Sequence, residues 1–434
     1  MACFIKKNRF STISTSPTIN TKIYIIFFYE EEYSLLKKKN LKIIMVRKKT
    51  RYDTIFKFPQ KGKSVMKFVC EKSVLSSAIA KTSWAVAAKS SVPVMEGILI
   101  NCGRELTLTG YDLSIGIRVT VPAEIEEQGI IVVNAKIFSD IIRLLPDEPV
   151  TFTTDDNLMA TVTCGNVRHE VVCLSAKDFP SLPDIEKKYF LNLRQGDLKK
   201  MISQTIFAIS GDESKPVHTG SLFDVEGSRV TVVSVDGFRL SYRTAEIENE
   251  SEEENFHFVV PGLTLKEVEK LCAESDEEAS ICVGKKHIIF RLGGSMIISR
   301  ILEGEFLNYK KAVPKSGSFK VRVNRRDLIT TIERVSILIS ERIKNPIHLQ
   351  FSENTLFISC RTPVGSSQDE CALLNKGENL EIGFNHKFIL DALRASPDDE
   401  LDLELNTHVA PILITPPEGE EYLHLILPVR LKAE

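Results

Sequence analysis

The chain has 434 residues, 43% hydrophobic and 26% charged, a composition that suits about two to four ordinary globular domains and excludes a fibrous or low-complexity protein. Its nine cysteines are scattered without a CxxC pair, which excludes a disulfide framework or zinc ribbon and fits free thiols in a reducing cytoplasm. The formal net charge of −2 hides a split: residues 1–65 carry 15 Lys/Arg against 4 Asp/Glu, whereas residues 66–434 carry 41 against 54.

In the basic stretch, the apolar run from Ile23 to Tyr29 is far shorter than the roughly 18 residues of a membrane helix. Three glutamates and then Lys37-Lys38-Lys39 follow it, with no small-residue cleavage site. Residues 1–65 therefore read as a disordered tail or an upstream stretch not belonging to the natural start, with Met66 as the working first residue and no membrane partner. A basic organelle-targeting presequence is the alternative, against which the glutamate run argues.

From Met66 a short strand at 66–70 leads into a first helix within 71–89. Its stripe, Leu75, Ala78, Ile79, Ser83 and Val86, follows the three- and four-residue spacing of one helix face. Strands follow at 97–101, 105–110, 115–121 and 130–133, then a second helix at 135–145 stopped by Pro146, then strands at 149–154, 158–164 and 167–174. The same order returns from 190. The helix 194–210 repeats the apolar stripe at Leu198, Met201, Ile202, Ile206 and Ile209, and a second helix occupies 263–272. The acidic stretch 246–254 between them reads as a solvated loop, with a site for a cation or a basic partner as the alternative. A third copy begins at 319, with helices at 325–343 and 387–395 and a stripe at Leu328, Thr331, Ile332, Ser336 and Ile339. The leucines that open the three stripes lie 123 and then 130 residues apart, a domain-sized period. The expectation is three α+β domains, 66–189, 190–318 and 319–434, each with two helices on one side of an antiparallel sheet.

The six helix windows, taken as 71–89, 134–145, 194–210, 263–272, 325–344 and 386–395, hold 17 Lys/Arg against 9 Asp/Glu, leaving 24 against 45 for the rest of residues 66–434. Lysine and glutamate have similar helix propensity, so propensity alone does not produce that bias. Were the helices to share a surface, it would attract a polyanion through its phosphates, without reading bases. No aromatic ladder of a single-strand binder accompanies the charge, and the lone tryptophan, Trp84, reads as core.

A catalytic constellation is not legible. Gly62-Lys63-Ser64 lacks the upstream glycine of a phosphate loop, there is no GxSxG or HExxH, and the eight histidines show no ligand spacing. Asp236 has no second carboxylate or base near it in sequence.

Six short motifs in order carry a resemblance. They are the start Met66-Lys67-Phe68, Asp178-Phe179-Pro180, Val235 to Leu240 (VDGFRL), Lys344-Asn345-Pro346-Ile347, Gly383-Phe384-Asn385, and Leu427-Pro428-Val429-Arg430-Leu431. With the threefold repeat, residues 66–431 resemble the bacterial DNA polymerase III β subunits, the sliding clamps. The resemblance implies a non-enzymatic processivity factor, without cofactor or metal, in which two chains close head to tail around double-stranded DNA. Helices would line the hole. Lys89 is the best-matched DNA-facing residue, and the other helix cations in that role are Lys136, Arg143, Lys199, Lys200, Lys266, Arg326, Arg334, Lys387 and Arg394. Across the dimer interface, His169 and Val171 would pack near Ile337 and Leu338.

The resemblance further implies a groove between the second and third domains for a short peptide of the polymerase III α subunit, the clamp loader and other clamp-binding-motif proteins. Its matching residues are Gly237, Phe238, Arg239 and Leu240, then Lys215, Val217 and His218, then Leu307, Lys311 and Ala312. The C-terminal part adds Leu425, Leu427, Pro428, Val429 and Arg430. Leu240, Val217, Leu427 and Val429 would be apolar anchors inside a rim of donors, with simple core burial as the alternative for Leu240 and Leu427. Lys215 and Lys311 stand where arginine is usual, Leu307 where proline is common, and His218 where an apolar residue is common, so peptide preference is left open. A nucleic-acid enzyme or repeat-built DNA-binding protein sharing only the domain plan is the alternative function.

Overall fold

A computed structural model describes residues 66–186, 188–249, 255–314, 319–340 and 345–430. The basic extension 1–65 and residues 250–254 of the acidic stretch lie outside the described residues. The helices are α1 (Lys72–Ser83), α2 (Ala135–Leu144), α3 (Gln195–Ser203), α4 (Gly262–Leu271), the single turn α5 (Tyr309–Ala312), α6 (Arg325–Val335) and α7 (His386–Ala395). No described helix is long and apolar enough to cross a membrane.

The first helix of each copy is shorter than its apolar stripe predicts. Thr82 and Thr205 occupy the same place in the repeat, seven residues after Leu75 and Leu198, and both are buried. Their hydroxyls donate back to the carbonyls of Ala78 at 2.8 Å and Met201 at 2.7 Å, a bond that competes with the helix ladder and helps to end it. The stripe continues past α3 as a 3₁₀ turn, Ile206–Ala208, and past α6 as Ser336–Leu338. Lys89 consequently lies in the loop beyond α1, not on a helix.

Each copy divides its strands between two antiparallel sheets, which corrects the expectation of one sheet per copy. A five-stranded sheet of the first copy runs from the edge Glu124–Glu127 to the edge Val167–Val172. A nine-stranded sheet then crosses from the first copy to the second, because Ile115–Val121 pairs with Ser295–Arg300. An eight-stranded sheet crosses from the second to the third, where Arg239–Glu246 pairs with Tyr422–Ile426. The third copy ends in a four-stranded sheet whose edge is Gly365–Ala372. The copies are thus joined by main-chain ladders between strands far apart in sequence. The segment leaving each copy ties back to its own sheet at equivalent places, Leu174 to Val132, Leu302 to Val259 and Val429 to Gly383.

Helix pairs pack against strands of both sheets in their copy. One continuous apolar core runs through the first two copies, with Phe68, Phe138, Phe152, Leu198, Phe223 and Phe290 fully buried. A second core, around Val321, Leu328, Phe351, Phe384 and Leu393, fills the third copy. None of the eight described cysteines is in a disulfide, and all are buried.

Candidate nucleic-acid interface and peptide groove

The helices form a belt. Within copies, α1 packs on α2, α3 on α4, and α6 on α7. Between copies, specific side chains close the seams. At the first seam, Lys270 near the end of α4 sets its Nζ 3.6 Å from the centroid of the Trp84 ring, just past α1. At the second seam, Phe207 follows α3 at the place Trp84 follows α1, nine residues after Leu198 and Leu75 respectively. Arg239 lies 5.3 Å from the Phe207 ring and 4.5 Å from that of Phe388 on α7.

Among the sequence-selected cations, Lys89, Lys136, Lys200 and Lys266 are exposed and have no ion pair among the described residues. Five others are paired. Arg143 meets Asp140 at 3.2 Å, Lys199 meets Glu274 at 2.9 Å, and Arg326 meets Asp399 at 3.5 Å. Arg334 meets Asp369 and Arg394 meets Glu333, each at 2.6 Å. The hydrogen bond from Lys199 to Glu274 raises the pKa of the lysine and lowers that of the glutamate. Exposed pairs of this kind contribute about 0–1 kcal/mol and exchange readily for phosphate. Lys387 lies in the first turn of α7 and lines an open cavity of about 480 Å³ between α6 and α7.

The junction of the second and third copies carries its own apolar cluster: Val217, Leu222, Val233, Val235, Leu240, Val259, Tyr309, Leu413, Leu423 and Leu425. Leu240 and Leu425 sit directly opposite each other in the seam ladder. At 3%, 9% and 6% exposure, Leu240, Val217 and Leu425 are walls rather than free anchors. The exposed apolar groups around them are Phe238 (62%), Leu307 (42%), Leu427 (42%) and Val429 (40%). The N–H of Leu427 donates to the carbonyl of Phe238 at 2.9 Å, which brings the C-terminal segment against the turn 236–239. That turn depends on Gly237, whose φ of +90° is a left-handed conformation, and on Asp236, whose Oδ1 accepts from the N–H groups of Phe238 and Arg239. Asp236 is thereby a turn-forming residue and a partner of Arg239.

Arg239 is not an open donor, because its guanidinium is already engaged within the chain. Its Nε donates to Asp236 Oδ2 at 2.9 Å, its Nη1 to Asp391 Oδ2 at 2.6 Å and its Nη2 to the Phe207 carbonyl at 2.7 Å. The side chain is only 11% exposed and pins α7 of the third copy to the second. On the outer side, Lys215, Lys311, Ala312 and Arg430 are exposed, and Pro428 is half-buried. His218 meets the Phe306 ring edge-on at 5.2 Å, and burial, with Lys215 next, holds its pKa below the usual imidazole value. Beside Val429 opens a cavity of about 440 Å³ lined by Asn345, Pro346, Asn385 and His386, which site selection from sequence missed. Their signal was present, since they lie in or beside two of the motifs that carried the resemblance.

The seam strand also holds a fully buried histidine. The Ser241 hydroxyl donates to the Gln204 carbonyl at 2.7 Å, so His424 Nδ1, 2.7 Å from the same hydroxyl, must be the protonated nitrogen. His424 Nε2 has no partner among the described residues. Burial, and then Arg243, pulls its pKa down to about 3.

At the two outer edges, Ile337 is 78% exposed and Leu338 half-buried on the third copy's core. His169 is half-buried, whereas Val171 points into its own core at 8% exposure. The apolar groups left open along that edge are Val167 and Val172, at 37% and 69%. Sequence reading missed these two, and it placed Trp84 in the core although the indole is 60% exposed.

Sequence profiles of the DNA polymerase III beta subunit match its N-terminal domain at residues 66–183, its central domain at 192–308 and its C-terminal domain at 310–430. The beta sliding clamp of Staphylococcus epidermidis is 30% identical over 377 residues, covering 84% of this chain and 100% of the relative. A crystal structure of a putative DNA polymerase III beta subunit from Eubacterium rectale is 34% identical, with a TM-score of 0.78 over 84% of this chain and 99% of that one. The DNA polymerase sliding clamp from Bacillus subtilis is 28% identical, with a TM-score of 0.80 over 85% and 100% of the two chains.

Proposed function

This chain belongs to the DNA polymerase III beta subunit family, the sliding clamps, which are processivity factors rather than catalysts, and on that premise we propose that two copies close head to tail around duplex DNA. The observation that carries this reading is the pair of open sheet edges. Both internal seams join one copy to the next by antiparallel pairing of edge strands, and the same kind of edge is left over at each end, Val167–Val172 and Gly365–Ala372. Pairing these ends between two chains would join the five- and four-stranded sheets into nine strands, like the first internal seam. Such an interface uses two different surfaces, and it yields a ring only if the rotation closes. Ile337, Val167 and Val172 supply apolar area for that contact, and Val171 supports the strand from beneath.

The belt of α1 to α4, α6 and α7 then faces the hole. Lys89, Lys136, Lys200 and Lys266 offer free charge to phosphates, while the paired cations contribute after exchange. Topology holds the DNA, so weak and base-blind contacts suffice and sliding is not obstructed.

The groove at the second seam takes a linear peptide from the polymerase and other partners. Phe238, Leu307, Leu427 and Val429 are its accessible apolar contacts, the buried cluster beneath keeps its floor rigid, and Lys215, His218, Lys311 and Arg430 form the polar rim. The decisive experiment compares retention on closed circular and linearised DNA after loading. A ring stays on the circle and runs off the linear form; equal retention on both would sink the reading. A monomer in sedimentation at micromolar concentration would count against it independently.

A further inference from the structure

We propose that Trp84 and Lys270 together form a contact for the duplex sugar-phosphate backbone at the first seam, an inference that rests on the ring reading above. Trp84 is the only tryptophan of the chain, a residue type that is highly buried on average, and its indole is 60% exposed. The repeat makes the contrast internal. Phe207 stands at the equivalent place in the second seam and is enclosed there by Arg239, 5.3 Å away, and by the edge of the His424 ring at 5.5 Å. At the first seam the aromatic group is larger, and with Lys270 over its ring it still remains 60% exposed.

The Lys270 ammonium, 3.6 Å from the Trp84 centroid, also pairs with Glu267 at 2.8 Å and remains 49% exposed on its side chain. Cation–π contact fixes where the charge sits without neutralising it. The indole N–H has no acceptor among the described residues, so a second donor stands beside the ammonium. Lys81 lies one turn before Trp84, Lys89 five residues beyond it, and Lys266 one turn before Lys270. The nearby acids are Glu267, already paired, and Glu269, whose pKa burial raises. That surrounding favours a polyanion over an apolar or basic partner. The indole N–H suits a phosphate oxygen and the ring edge a deoxyribose, neither of which depends on base sequence.

Because the tryptophan is unique, its emission reports this site alone. The wild-type protein is titrated with a 30-base-pair duplex whose binding is followed separately by anisotropy of an end label. Trp84 emission should change in parallel with binding, independently of sequence, and revert as salt is raised. Lys270→Gln should lower the slope of log affinity against log salt by about 1, and Trp84→Ala should weaken duplex binding by about 3- to 10-fold. Thermal unfolding of both variants checks the fold, and the wild-type emission stands as a test even if a variant is unstable. Unchanged Trp84 emission while the label reports full binding would overturn the inference. If the protein is retained on circular DNA and the emission is still silent, this contact fails and the ring stands; loss of selective retention on circles removes the ring itself.

Discussion

Replacing Arg239 by alanine tests whether the second seam is held by one guanidinium. The change removes three hydrogen bonds of 2.6 to 2.9 Å, two of them to carboxylates, from a side chain 11% exposed. Charge-assisted bonds contribute about 1.5–3 kcal/mol each, and breaking a buried pair costs about 3–5 kcal/mol. Two features reduce the total. Asp236 keeps its two backbone N–H donors, and Asp391, at 37% exposure, regains water. The stranded groups are the Phe207 carbonyl and one lobe of Asp236, so the expected loss is about 3 kcal/mol, concentrated where the second and third copies meet. Hydrogen exchange should show early opening of the ladder between Arg239–Glu246 and Tyr422–Ile426, with strands of the first copy unaffected. Arg239→Lys should recover only a fraction, because an ammonium cannot reach three acceptors in the fork geometry. A loss below about 1 kcal/mol in denaturant unfolding, or uniform exchange across all three copies, would refute the assignment of Arg239 as the fastener.

If the proposed dimer forms through this edge, Ile337→Asp should convert it into monomer in sedimentation at micromolar concentration with little change in unfolding, since the side chain is 78% exposed within its own chain. His424 gives a pH signature. Its folded pKa of about 3 lies below the unfolded value near 6.5, so its contribution is full above pH 6.5 and is lost as pH falls from there toward 3. In that window wild type should lose up to about 1.4 kcal/mol per pH unit more than His424→Leu; parallel profiles of the two proteins would exclude this origin. Deleting residues 427–434 should abolish binding of a clamp-binding peptide in fluorescence polarisation while leaving the proposed dimer intact, because Leu427 and Val429 are the proposed anchors of the groove and lie away from the outer edges. Unchanged peptide affinity would place the groove elsewhere.

The helices were legible because the stripes opening at Leu75, Leu198 and Leu328 share one internal three- and four-residue spacing, and their burial follows it. Their ends were not, because Thr82 and Thr205 fit an apolar face as well as an alanine would, and only the back-bond distances reveal the break. The seams were invisible for a different reason. Pairing Ser299 with Ile115, or His424 with Ser241, depends on tertiary register between strands that lie far apart in sequence and look like any other alternating run. The motif picked out Arg239 but could not show that Asp391, from another copy, already accepts from its guanidinium. Trp84 was misjudged because the prior for tryptophan favours burial, although its register match to Phe207 and to the exposed Ile337 was already in the sequence.

A chain that joins its own copies by the same edge pairing it leaves open at both ends is, in principle, a monomer for polymerisation. Whether copies add without limit or stop at two depends on the turn accumulated across the internal seams together with that of the contact between chains. The segment around α5, where Tyr309 donates to Asp224 at 2.8 Å and Lys310 reaches both Asp224 and Glu226, helps fix that turn at the second seam. Loosening it would leave each copy folded and each edge adhesive, and would trade a closed circle for a growing thread.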